Sequence, residues 1–192
     1  MGWVRPSLTV GGIFVLPVVL IATDVVPFHW RFHVLGLMTL LAAGLALLRH
    51  SRESLGLTLP KLRSFLTWSV IPSAILIALV LGSDLRHRAF TPGHVAFYLF
   101  FVFVSAPAQE FLYRSFLFAE LRAIAIAPKW IVMLSASLFG FMHIIYRDAL
   151  TVILTLVAGL IWALVFHSTR KVGIVAFSHA AIGLAAILAG LI

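Results

Sequence analysis

The sequence predicts an all-α fold, a polytopic membrane helical bundle of about seven transmembrane helices, and three observations carry that prediction. Of 192 residues, 62% are hydrophobic and 10% charged, where a soluble domain carries about 45–50% apolar and about 25% charged residues. Mean hydropathy is +1.14. The apolar residues also fall in blocks near the length a helix needs to cross the bilayer, about 20 residues for roughly 30 Å of hydrocarbon. A soluble fold this apolar could not cover its surface with polar groups.

The first block, Leu8–Val26, follows Met1–Arg5. It exceeds the roughly 7–15 residues of a signal h-region and no small-x-small cleavage pattern follows, so it reads as a retained first span. Phe32–Leu48, Phe65–Gly82, His94–Ala119, Trp130–Tyr146, Leu150–His167 and Val172–Leu191 are the other six. The fourth is long and contains Ala106-Pro107-Ala108, where proline is expected to break or kink the helix. The last carries Ala181, Ala185 and Ala189 at four-residue spacing, a stripe that would let helices approach closely in lipid. No internal repeat or inverted half is visible, which argues against a transporter or channel. The chain divides into N-terminal membrane helices over 1–92 and a C-terminal helical core over 93–192.

Fourteen Lys and Arg against six Asp and Glu give a net charge of +8. These basic residues stand singly between apolar blocks, without the continuous basic face of a nucleic-acid footprint, so no nucleic-acid partner is expected. Topology explains them better. With the N-terminus in the cytoplasm, Arg5, Arg49, Arg52, Lys61, Arg63, Arg122, Lys129, Arg170 and Lys171 lie inside, and Arg31, Arg86, Arg88 and Arg147 outside. That asymmetry predicts a multi-pass protein of the cell membrane with a cytoplasmic N-terminus and an outer C-terminus. Trp3, Trp30 and Trp130 sit at span ends, as interfacial anchors do. Without cysteine, disulfides, thiolate metal sites and cysteine nucleophiles are excluded.

Ionisable groups within a span are costly and mark function or pairing. Gln109, Glu110 and Arg114 follow the Pro107 position, His143 lies late in the fifth span, and His179 lies in the last. Glu110 and Arg114 are four apart and share a helical face, so they can form an ion pair. A structural pair would explain Arg114, but not Gln109 or the two histidines. One acid and two imidazoles on three separate spans are the usual makeup of an acid–base site. His29, His33, His50, His87, His94 and His167 lie near span ends or in loops, where water is in reach, and carry little information.

These residues fall in a recognisable order: Gln109-Glu110-x-x-x-Arg114, Phe139-x-x-x-His143 and His179-x-x-x-Gly183. In spacing they resemble the three motifs of the CPBP family (CAAX proteases and bacteriocin-processing enzymes), the intramembrane glutamic endopeptidases. The short turn Thr169-Arg170-Lys171-Val172 before the last span and the Leu55-Gly56-Leu57 loop are similar too. The resemblance is strong over about residues 93–190. It implies an endopeptidase that cleaves membrane-attached protein or peptide substrates with activated water and no metal or cofactor. Glu110, His143 and His179 would be catalytic, and Gln109, Arg114 and Phe139 supporting.

Two departures qualify this. The family's water-activating glutamate is Gln109 here, and an amide takes no proton from water. The family's oxyanion asparagine is Gly183, which brings no side-chain donor; loss of one such donor typically costs about 10²–10³ in rate. Three readings are open: Glu110 acts as the base, the site is rearranged, or the protein is a catalytically inactive immunity or scaffold protein that binds membrane peptides. In the first, Glu110 and His143 polarise the water and His179 stabilises the oxyanion. A glutamate and two histidines could also bind zinc. For straight spans at about 1.5 Å per residue, Glu110 lies about 26 Å from the outer end and His143 about 10 Å. Contact between them therefore requires a break at Pro107, strong tilt or shifted boundaries.

Overall fold

The protein is described by a computed structural model over residues 4–81 and 92–190, with side chains over 7–79 and 93–190. The expectations for Met1, Trp3, Arg86, His87 and Arg88, for the side chain of Arg5, and for the span ends at Gly82 and Leu191 lie outside the described residues. Seven helical segments and no strand are found among the described residues. Five are long and apolar enough to cross a membrane: α2 (Phe28–Arg49), α3 (Leu62–Leu79), α4 (Val95–Ala123), α5 (Pro128–Tyr146) and α6 (Ala149–Thr169). Two apolar helices are shorter, α1 (Ser7–Ala22) and α7 (Val172–Leu188). Leu40, Leu79, Ile153 and Leu164 point outward, on the faces that a bilayer would cover. This is the polytopic helical bundle that the composition predicts. Trp30 and Trp130 stand exposed at the starts of α2 and α5.

The helix α4 is the axis of the bundle. Every residue from Leu112 to Leu121 is buried, so this stretch is covered on all sides, and α1, α2, α5 and α7 all pack on the helix. Without a hydrophobic drive between helices in lipid, close packing and polar links hold such a bundle. The tightest crossing joins α5 and α6. There a Cβ on Gly140 would meet Leu156 Cβ at 3.0 Å, and one on Gly159 would meet the Phe139 ring at 3.1 Å. Polar links do the rest. Ser135 Oγ donates to the Tyr113 carbonyl at 2.8 Å between α5 and α4. Ser69 Oγ donates to the Ile174 carbonyl at 2.8 Å between α3 and α7.

Pro107 does not break α4, which runs unbroken from Val95 to Ala123. The proline ring crowds the carbonyl four residues back, that of Phe103. That residue lies in a π-helical turn, Phe101–Ser105, in which the Ala106 amide reaches the Phe101 carbonyl. Widening the turn absorbs the clash. A second π turn, Phe111–Phe116, follows. Likewise, the Ala181–Ala185–Ala189 stripe is not the main packing face of α7. Ala181 and Ala185 are half-buried, and only Ala189 is buried. The inward face is instead Ile174, Val175, Ser178, His179 and Gly183, because Ser178 and His179 turn toward polar partners.

The Leu55-Gly56-Leu57 loop docks on the turn between α6 and α7. Gly56 has φ +70°, and a Cβ there would lie 2.8 Å from the Arg170 carbonyl oxygen and 2.9 Å from the Phe166 ring. Its own carbonyl accepts from the Val172 amide at 3.0 Å. The side chain of Lys171 also donates to the Thr58 hydroxyl. Gly56→Ala is therefore expected to lower unfolding stability by about 1–3 kcal/mol, from positive φ and a backbone clash together. Denaturant titration of the detergent-solubilised protein would measure it, and an unchanged midpoint would contradict this docking.

Candidate active site

Adjacent residues on a helix point about 100° apart, and Gln109 and Glu110 accordingly face two different environments. Glu110 points toward α7. Its carboxylate is fully enclosed, with Oε2 at 3.2 Å from Arg114 Nε and Oε1 at 2.9 Å from His179 Nδ1. Arg114, also fully buried, donates through Nη2 to the Gly159 carbonyl at 3.0 Å. Its guanidinium lies 4.4 Å over the Phe139 ring. One charged group thereby links α4 to α5, α6 and α7.

Aromatic rings hold His179 in place. It stacks on Trp162 with ring centroids 4.4 Å apart and 24° between planes, and meets the edges of Phe139 and Phe101 at 5.5 and 5.9 Å. Ser178, one residue earlier, accepts from Trp162 Nε1 at 3.2 Å and from the Ser73 hydroxyl at 3.1 Å. Sequence reasoning missed Trp162, Ser178 and Ser73, which carry no charge to mark them. Phe139, at the centre, touches Tyr113, Arg114, His143, Trp162 and His179.

Gln109 points the other way, into a cavity of about 70 Å³ between α1, α2, α4 and α5, which His143 also lines. That volume exceeds the roughly 10–15 Å³ one water needs and falls short of a drug-sized pocket of about 300 Å³. Gln109 Nε2 donates to Ser105 Oγ at 3.0 Å, and its buried Oε1 has no hydrogen-bond partner. His143 Nδ1 bonds to the Phe139 carbonyl at 2.8 Å. A carbonyl only accepts, so Nδ1 carries the proton, and in the neutral ring Nε2 keeps its lone pair. No carboxylate lines this cavity among the described residues. Glu110 thus pairs with His179, and Gln109 shares its cavity with His143.

At Gly183 there is no space for a side chain. A Cβ would lie 2.6 Å from Phe101 Cζ, so the phenyl ring fills the volume next to His179 that a donor would take. Among the described residues no group of three or more His, Asp or Glu is placed to hold a metal ion. Far from this site, Glu120 is buried between Arg49 at 3.1 Å and His50 at 2.8 Å. The predicted fourth span ends at Ala119, one residue short of this acid, and His50 is grouped with the span-end histidines. The signal was the acid itself, one residue beyond an apolar span.

Residues 91–185 match the family model described as type II CAAX prenyl endopeptidase Rce1-like. No curated protein matches the chain, and no solved structure does.

The buried charges set a stability expectation. Removing one partner of a buried ion pair costs about 3–5 kcal/mol because the other charge is left uncompensated. Glu110→Gln should be destabilised by that order, and adding Arg114→Met should recover a large part. If Glu110→Gln unfolds at the wild-type denaturant concentration, the pair does not hold the bundle as described.

Proposed function

We propose, from the premise that residues 91–185 belong to the Rce1-like type II CAAX prenyl endopeptidase family, that this protein cleaves membrane-attached protein or peptide substrates by activated water. One observation carries the reading: Gln109 and His143 share a cavity of water-holding size, while on the next residue Glu110 holds His179, and Phe139 touches both imidazoles.

In this mechanism His143 is the general base. The Phe139 carbonyl fixes its ring, and Nε2 takes a proton from a water that the Gln109 amide orients. The water oxygen bonds to the peptide carbonyl carbon. A protonated His179, held at Nδ1 by Glu110 and packed on the same Phe139 ring as His143, would offer Nε2–H to the developing oxyanion. His143 then returns its proton to the leaving amine, and the products are a carboxylate and an amine. Glu110 positions His179 and offsets Arg114 rather than meeting water. The family description points to prenylated C-terminal peptides; peptide precursors and C-terminal sorting helices fit the same chemistry.

A second reading has its own support. The cavity has no carboxylate among its lining residues, and Phe101 occupies the volume beside Gly183. Both suit a protein that binds such peptides without cutting them.

Full-length protein in lipid nanodiscs, given membrane-anchored peptides and assayed by mass spectrometry, separates the two. His143→Ala should cut the turnover number per folded molecule by about 10²–10⁴, the usual worth of a general base. Gln109→Glu should raise it, since a carboxylate can hold the proton. Peptide binding without product from the wild type or Gln109→Glu would leave the binding reading standing.

A further inference from the structure

The mouth of the Gln109–His143 cavity carries a cation that the mechanism leaves unused. Arg31, at the start of α2, lines this cavity together with Tyr146. Its guanidinium is held in one attitude, 4.1 Å over the Phe28 ring and 4.4 Å over Phe32, with Nη1 donating to the Phe28 carbonyl at 3.2 Å. Its Nε is buried and has no hydrogen-bond partner, and no carboxylate pairs with it among the described residues. The other described arginine at this end, Arg147, is neutralised by Asp24 and also donates to the Ala22 carbonyl. Charge at the cavity mouth is therefore Arg31's alone among the described residues.

Resting on the peptidase reading, we propose that Arg31 binds the C-terminal α-carboxylate of the peptide that enters this cavity. A guanidinium edge matches a carboxylate in shape and charge, and the aromatic stacking has already fixed the side chain, so little rotamer freedom is lost on binding. A cavity of about 70 Å³ admits waters and the end of an extended chain, whereas a phospholipid headgroup with its two acyl chains does not enter. Substrates would be selected by a free terminus on one side of the scissile bond and by membrane attachment on the other.

The test compares one lipid-anchored peptide ending in a free acid with the same peptide ending in an amide, on full-length protein in nanodiscs, by dissociation constant and by cleavage. Free acid should bind about tenfold or more tightly, the range for a charge-assisted hydrogen bond. Arg31→Gln should bring the acid down to the affinity of the amide, and Arg31→Lys should keep part of the preference. Equal binding of acid and amide by the wild type, or a preference that survives in Arg31→Gln, would overturn the assignment. So would a preference that follows anionic lipid content instead of the peptide terminus. An acid preference without cleavage of either peptide upholds the carboxylate site and removes the peptidase reading; cleavage without preference does the reverse.

Discussion

A guanidinium at the centre of a lipid-embedded bundle dictates much of what surrounds it. Arg114 is fully buried, and a charge there is tolerable only with compensating groups around it. The carboxylate of Glu110 comes from its own helix, the Gly159 carbonyl from α6, and the face of Phe139 from α5, while Nε and Nη1 have no hydrogen-bond partner. His179 joins from α7 through Glu110. Four helices are thus fixed in relative rotation by one side chain. The small residues at Gly140 and Gly159 let α5 and α6 come close enough for this to happen.

That rotation explains why two neighbouring residues serve separate purposes. Glu110 is committed to Arg114 and to His179, whose ring is packed among Trp162, Phe139 and Phe101. Gln109 is committed to the cavity. The amide at position 109 is therefore not made good by the acid beside it through any small side-chain movement, since the acid already serves Arg114 and His179.

The bundle and its spans were legible because hydrocarbon imposes a length and a composition on each helix, and both can be counted in the sequence. The charged cluster was legible in part. Glu110 and Arg114 announce themselves by spacing, and His143 and His179 by standing in apolar helices. What the sequence hid is phase: which imidazole meets the acid depends on how α4 passes Pro107, and two π turns, invisible in periodicity, decide it. The role of Phe101 beside Gly183 was hidden for a similar reason. A glycine reads as an absence, although in the fold it is the room another ring needs. The pairing of Glu120 with Arg49 and His50 was hidden because a fourth span ending at Ala119 leaves out the acid one residue further on.

The cavity wall has a dual origin. Gln109, Tyr113, Met142 and His143 come from the stretch that matches the peptidase family, whereas Ile13, Val18, Arg31 and Met38 come from helices before it. The Arg49–Glu120 clasp and the Gly56 contact with the α6–α7 turn fasten those earlier helices to the core. Excising the matched stretch would strip one side from the chamber and bare a buried acid. The matched stretch and the helices before it therefore depend on one another for a complete cavity wall and for the burial of Glu120.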